Sequence, residues 1–449
     1  MFSFFKAPPA IKEIEDPATI DKEYKYWRMR IFYSIYIGYT FFYFSRTSYA
    51  NTKPALGAAL EYSNSELGII TSAFAMSYGI SKFVSGILSD RSNVRYFMAF
   101  GLIMAGIANI LFGMSSSITM FALLWGLNGW FQGFGWPPVA KTLTQWYSKS
   151  ERGRWWSFLN TSHNMGALFT PIILSAIITY ASSRGFEGWR FGMYFPGMMS
   201  ILMGIFLINR LRDVPQTLGL PPIEKYRNDY PDQKVTSDKD DQPSVRKILV
   251  QYILSNPYMW ILGLSYLFVY MIRSGTTEWI PKYLMETKGY TLPAASTAIT
   301  SFELGGLTGN LTAGWISDKI FRGKRAPVNV LFSLSAMSAV ILLAFLPNLM
   351  TDTPWLNYFV IALTGFCVFG PQMLIGVAAA EACHKKAAGT ATGFISIFAY
   401  SGVFLTGYPL GVLIDHYGWN GLFIALASAG GIAALLLMTM LSTRTKTNN

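Results

Sequence analysis

Two arginines sit inside apolar sequence. Arg46 closes the run "GYTFFYFSR", and Arg273 lies in "FVYMIRSGTTEW". A guanidinium at the centre of a membrane-spanning helix costs at least about 2.5–3.5 kcal/mol on insertion scales, so it is expected to face a cavity or a partner. Arginine cannot shed its charge, and its planar fork of donors matches the oxygens of a phosphoryl group two at a time. Two such groups facing one cavity make an anion site that favours a dianionic phosphate over a carboxylate monoanion. Either arginine alone could be a snorkelling residue at a helix end; its recurrence argues against that.

Other polar residues fall at similar depth. Lys82 lies in "YGISKFVSG", His163 in "NTSHNMGA" and Glu303 in "TSFELGG". The histidine is either a phosphate-facing donor or a satisfied interhelical residue. The glutamate either neutralises an arginine until substrate arrives or forms a structural ion pair. Tyr43 lies three residues before Arg46 and Tyr78 four before Lys82, so with Tyr39 they share interior faces. Tyr400 joins this candidate set. Asn128, Gln132 and Trp136 fall at i, i+4 and i+8 in "NGWFQGFGWPPVAK", a face whose amides and indole suit sugar hydroxyls.

These residues need apolar helices to carry them. Of the 449 residues, 52% are hydrophobic, 16% aromatic and 13% charged, against about a quarter charged in soluble chains. Apolar runs of about twenty residues mark an all-α membrane protein. Twelve spans are expected, starting near residues 30, 65, 95, 118, 154 and 190, then 257, 295, 327, 355, 387 and 419. The polar stretch 211–255 separates a six-helix half at 29–210 from another at 256–442, with short segments at 1–28 and 443–449. The charged opening stretch is not expected to be a cleaved signal. Lys and Arg concentrate in alternate connections, which puts both termini in the cytoplasm.

The halves repeat. "GILSDRSNVR" begins at Gly86 and "GWISDKIFRGKR" at Gly314; Arg46 precedes the first glycine by 40 residues and Arg273 the second by 41. Such duplication is expected of a six-plus-six transporter with its site between the halves. Gly86 and Gly314 are expected to allow close helix contact. Asp90 and Asp318 can cap helix N-termini or pair with neighbours such as Arg91, Lys319 and Arg325, forming a latch that breaks as the halves rock.

Cys367 and Cys383 have no metal-ligand spacing, and His163, His384 and His416 are scattered. No phosphate-binding loop or catalytic triad can be assembled, so neither an enzyme, a metal nor a cofactor is expected. The net charge of +12 is spread over loops between apolar runs, which argues for a lipid bilayer rather than nucleic acid as partner.

The motifs "GYTFFYFSR", "YGISKFVSGILSDRSN", "NGWFQGFGWPP", "ERGRWWSFLNTSHN", "FVYMIRSG", "FGPQMLIG" and "KKAAGTATGF" resemble those of the organophosphate:phosphate antiporters of the major facilitator superfamily, over essentially the whole chain. The resemblance implies the major facilitator fold, with Arg46 and Arg273 binding the phosphoryl group. It also carries over the family's lysine to Lys82, its histidine to His163 and its glutamate to Glu303. Substrates would be an organic phosphate, of the glucose 6-phosphate type, and inorganic phosphate, handled by a monomer in the inner membrane. The linker "RDVPQTLGLPPIEKYRNDYPD" is similar to that of glycerol-3-phosphate transporters, leaving glycerol 3-phosphate as an alternative. "TATGFISIF" has Thr392 where hexose-phosphate transporters carry an acidic residue, and no lysine follows. A sensor of the same fold, signalling to a partner kinase, is therefore the other alternative.

Overall fold

The computed structural model describes residues 9–90, 92–229, 253–349, 354–382 and 388–441. Helices dominate: α1 (Pro17–Arg46), α2 (Ser48–Leu60), α3 (Asn64–Asp90), α4 (Val94–Met114), α5 (Ile118–Gln132), α6 (Trp136–Trp146), α7 (Lys149–Ser183) and α8 (Gly188–Arg210) make the first half. A short α9 (Ile223–Arg227) follows. The second half holds α10 (Pro257–Lys288), α11 (Leu292–Trp315), α12 (Arg325–Leu349), α13 (Pro354–Glu381), α14 (Ala388–Leu405) and α15 (Tyr408–Met438). They group into twelve spans, because α1–α2 and α5–α6 are each one span broken in the middle. α15 crosses a turn at Gly418, whose φ of 62° suits glycine, so it ends the eleventh span and supplies the twelfth.

Seven described stretches are long and apolar enough by composition alone to cross a membrane. Those that fall short are α1–α2, α5–α6, α10 and α11. These are the spans that are broken or carry Arg46, Arg273 and Glu303, whereas Lys82, His163 and Tyr400 sit on spans that qualify.

The break in the fourth span is held by the second. Gly133 to Gly135 interrupt the helix, and Ser85 donates to the freed Gly133 carbonyl at 2.6 Å while Ser81 donates to that of Trp130. Side-chain hydroxyls thereby meet backbone groups that lipid cannot.

One face of the bundle carries the N-terminal segment and the Lys/Arg-rich loops; it is called the basic face below, and the opposite one the far face. On the basic face α1 begins at Pro17, ahead of the apolar run, with Asp16 accepting from the Thr19 amide at 3.0 Å. The expectation of a solvent-exposed linker needs correction for its first part. Leu220 and Ile223 are buried, Tyr24 and Tyr226 stack at 4.0 Å, and Ile14 donates to the Gly219 carbonyl at 2.8 Å. The apolar side chains of "LGLPPI" explain this docking. Residues 230–252 lie outside the described residues.

Between described residues, the hydrogen bonds and ion pairs joining the halves lie in the middle or toward the far face. Asp415 accepts from the amides of Asn64 and Ser65 at 3.0 and 2.7 Å, capping α3 from the other half. Lys282 donates to Asn64 at 2.5 Å, Ser72 to the Phe404 carbonyl at 2.9 Å, and Thr300 to that of Leu168 at 3.3 Å.

Candidate functional site

Arg46 is the last residue of α1, where the first span breaks for one residue before Ser48. Its guanidinium is framed by rings: the carbon lies 4.3 Å from the centre of Tyr78, 5.1 Å from Tyr43 and 5.6 Å from Phe74. Arg273, midway along α10, lies 4.6 Å from Phe369 and 6.0 Å from Tyr270. Cation–π contacts of this kind stabilise a guanidinium by about 0.5–2 kcal/mol. They leave its N–H donors unmet, since aromatic faces accept little. Among the described residues neither arginine makes a side-chain hydrogen bond or an ion pair.

Both arginines line one cavity of about 110 Å³ between the halves, together with Tyr43, Tyr270 and Glu303. Two permanent charges, one from each half, therefore face a shared space without a bonded counter-ion. Tyr78 and Tyr400 meet edge to face at 4.8 Å, and the Lys82 ammonium lies 5.2 Å from the Tyr400 ring. His163 lies 5.2 Å from Tyr43, ring to ring. Arg46, Tyr43, Tyr78, Tyr400, Lys82 and His163 thus form one connected set, with Arg273 across the cavity.

Glu303 is buried, and its Oε2 has no hydrogen-bond partner. The expected ion pair with an arginine is absent among the described residues, although Arg273 lines the same cavity.

The face read from Asn128, Gln132 and Trp136 does not exist as one face. The helix breaks between Gln132 and Trp136, so the i+8 relation fails. Asn128 is fully buried toward the third span, donating to the Ala105 carbonyl at 3.1 Å and to Asn109 at 2.7 Å. Asn109 reaches Ser48 at 3.1 Å, and Gln132 reaches Ser45 at 3.4 Å. These amides brace the break beside Arg46 rather than opening to a ligand. Tyr39 packs between Tyr43 at 5.7 Å and Trp136 at 5.0 Å, wedged against the fourth span.

At the basic face Asp318 sits in a π turn, Ile316–Ile320, and pairs with Arg325 at 2.5 Å; Arg325 also holds Glu381 at 3.1 Å. Of the two roles expected for Asp318, pairing is the one present, and it stays within one half. Lys319 is exposed with no ion pair among the described residues. The Asp90 side chain and Arg91 lie outside the described residues, as do His384 and Cys383. Gly86 and Gly314 do not make the close helix contact expected of them. A Cβ on Gly86 would meet nothing within 4 Å, and one on Gly314 only the Met373 methyl at 3.4 Å.

Sequence reasoning missed the pair Lys53 and Glu278. Lys53 is fully buried on α2, bonded to Glu278 on α10 and at 3.2 Å to Thr71, which also donates to Glu278 at 3.0 Å. The Lys53 ammonium lies 4.3 Å from the Trp279 ring. The signal was present: each half's first span carries a second charged residue a few positions after its arginine, a lysine in one half and a glutamate in the other.

The family model of the Major Facilitator Superfamily matches residues 35–407. A "probable hexose phosphate transport protein" of Chlamydia pneumoniae is 51% identical over 443 residues, covering 97% of this chain and 96% of that protein. The "membrane sensor protein UhpC" of Escherichia coli is 46% identical, with 99% of each chain covered. The "glycerol-3-phosphate transporter" of Haemophilus influenzae is 39% identical, covering 97% and 95%. Among solved structures, a bacterial homolog of the human lysosomal transporter Spinster superposes with a TM-score of 0.70 at 16% identity, covering 92% of this chain and 94% of that one.

Proposed function

From the premise that this chain belongs to the Major Facilitator Superfamily, whose members are transporters and not enzymes, we propose that it exchanges a sugar phosphate of the glucose 6-phosphate type for inorganic phosphate by alternating access. The observation that carries this reading is the pair of half-buried guanidiniums, Arg46 and Arg273, facing one cavity with no hydrogen-bonded or ion-paired anion among the described residues. The names of the similar proteins support the substrate class: hexose phosphate for one, glycerol 3-phosphate for another. On this reading the membrane is the inner membrane, and the positive-inside rule makes the basic face cytoplasmic.

In the empty carrier, closing the halves drives two positive charges together at low dielectric, which opposes the closed intermediate. A phosphate dianion bridging the arginines removes that opposition, whether it is free or attached to a sugar. Exchange is then coupled because the unloaded carrier crosses slowly. Lys82 and His163 add donors on the first-half side. Glu303 holds negative charge near Arg273 until substrate displaces its influence.

Proteoliposomes loaded with phosphate are expected to take up labelled glucose 6-phosphate, and phosphate-free vesicles are not. Equal uptake by both would remove the coupling. Arg46→Lys and Arg273→Lys should each abolish exchange, since a point charge loses the bidentate fit; normal exchange by either would remove that arginine from the site.

A second reading is a receptor that binds the sugar phosphate and signals with little flux. It is favoured by the 46% identity to a sensor and by "TATGFISIF", which lacks an acid–lysine pair. Tight binding with negligible exchange would select it. Competition among glucose 6-phosphate, glycerol 3-phosphate and phosphate for one site ranks the substrates.

A further inference from the structure

We infer that Asn310 and Gln372 of the second half read the hydroxylated part of the substrate, an inference that rests on the sugar-phosphate reading above. Asn310 Oδ1 and Gln372 Oε1 are both buried without a hydrogen-bond partner. A buried amide left unmet costs about 1–3 kcal/mol. An unmet oxygen alone does not mark a site, since the bracing Asn128 carries one too; for Asn310 and Gln372 the position relative to the cavity is the second observation.

Their places in the fold agree. Asn310 follows the cavity-lining Glu303 by seven residues, two helical turns along the same stripe of α11 toward the basic face. Gln372 lies one turn beyond Phe369, whose ring faces the Arg273 guanidinium at 4.6 Å. α11 and α13 touch at both levels: a Cβ on Gly306 would lie 2.5 Å from the Phe369 ring, and one on Gly314 3.4 Å from Met373. The closest approaches set the register, Gly305 on Ala362, Gly309 on Phe366 and Gly370 on Ala313, so Asn310 stands level with Cys367 and Gln372 more than a turn nearer the basic face on the adjacent helix. Tyr266 and Tyr270, with rings 4.7 Å apart, continue this wall on α10 in the same direction.

The repeat gives the pair its meaning. Asn310 precedes Gly314 by four residues, as Lys82 precedes Gly86. At matched depth the first half presents a cation and the second a neutral amide. An amide both donates and accepts, which suits a hydroxyl, and it brings no charge to attract a phosphoryl group. The phosphoryl end of the ligand is therefore held by Arg46, Arg273 and Lys82, and the neutral end lies against the second half, on the basic-face side of the arginines. Inorganic phosphate has no such end and does not use the amides.

The test uses the full chain in proteoliposomes with Asn310→Leu and the near-isosteric Gln372→Met. Phosphate:phosphate exchange is expected to stay within about twofold of the unmodified chain. The apparent KM for glucose 6-phosphate is expected to rise about tenfold or more, since a site built to bond hydroxyls discriminates by that bonding. Glycerol 3-phosphate, with fewer hydroxyls, should lose less. Equal loss for phosphate and sugar phosphate would make the amides structural, and unchanged sugar-phosphate uptake would remove them from the site; either overturns the inference. Failure of the unmodified chain to exchange or bind any phosphate ligand would instead overturn the function on which it rests. Binding to purified protein in detergent gives the same comparison if the chain proves to be a receptor.

Discussion

The two faces of the bundle treat the same interface in opposite ways. Toward the far face the second and eleventh spans are in contact: a Cβ on Gly68 would lie 2.5 Å from the Gly407 carbonyl, and one on Gly411 2.4 Å from that of Asn64. At the basic-face ends of the same two spans, a Cβ on Gly86 or Gly393 would meet nothing within 4 Å. The charges follow the same division. Asp415 and Lys282 reach across the halves at the far face. The basic-face pairs stay at home: Arg28 and Arg227 on Glu151 at 2.5 and 3.3 Å in the first half, Arg325 on Asp318 and Glu381 in the second. The halves therefore form a wedge, shut at the far face and parted at the basic face, with the arginine pair near the hinge line.

The strongest element of the shut end is the pair Lys53 and Glu278. Removing one partner of a buried pair costs about 3–5 kcal/mol because the other charge remains unmet. Glu278→Gln is expected to open the far face, raising the reaction of a Ser65→Cys reporter with an impermeant thiol reagent. Lys53→Met combined with Glu278→Leu should recover thermal stability, because apolar replacement leaves no unmet charge. Unchanged labelling in the single variant would mean that the pair does not hold the seal.

A smaller break acts on packing alone. Gly68→Val puts a carbon 2.5 Å from the Gly407 carbonyl oxygen, and overpacking of this kind costs about 1–3 kcal/mol. The labelling change should match that of Glu278→Gln in direction and be weaker. Asp415→Asn follows, since loss of a charged cap costs about 1 kcal/mol. Its effect should be confined to the α3 end, read as faster hydrogen exchange at Asn64 and Ser65. Faster exchange spread over the whole far face would show that the cap holds the seal and not only the helix end.

Much of this was legible in the sequence. Twelve spans, the repeat, and the arginine of each half's first span follow from apolar runs and from offsets to a shared landmark. Arg46 and Arg273 do line one cavity. The fourth-span face failed because three glycine-rich residues break the helix, and periodicity cannot be carried through a break. The first part of the linker looked free because its charges outnumber "LGLPPI", yet those apolar residues dock. Lys53 and Glu278 were visible as charges at membrane depth. That they meet each other depends on how far the halves have closed, which no single span encodes. Gly86 and Gly314 were read as contact residues, and only the state of the wedge reveals that the first has space around it.

That space gives the smallest and most selective prediction. A side chain at Gly86 meets nothing here, so Gly86→Leu should leave folding and thermal stability within about 0.5 kcal/mol, as for substitutions away from contacts. The same holds for Gly393→Leu. If the halves rock, the basic-face ends of the second and eleventh spans must close as the far-face ends part, and they can then approach as Gly68 and Gly407 do now. Added side chains would block that approach. Both variants should therefore bind phosphate normally, keep the far face shut to the thiol reagent, and lose exchange. Normal exchange by the pair combined would mean that the basic-face ends of these spans never meet, and that the wedge moves about some other line.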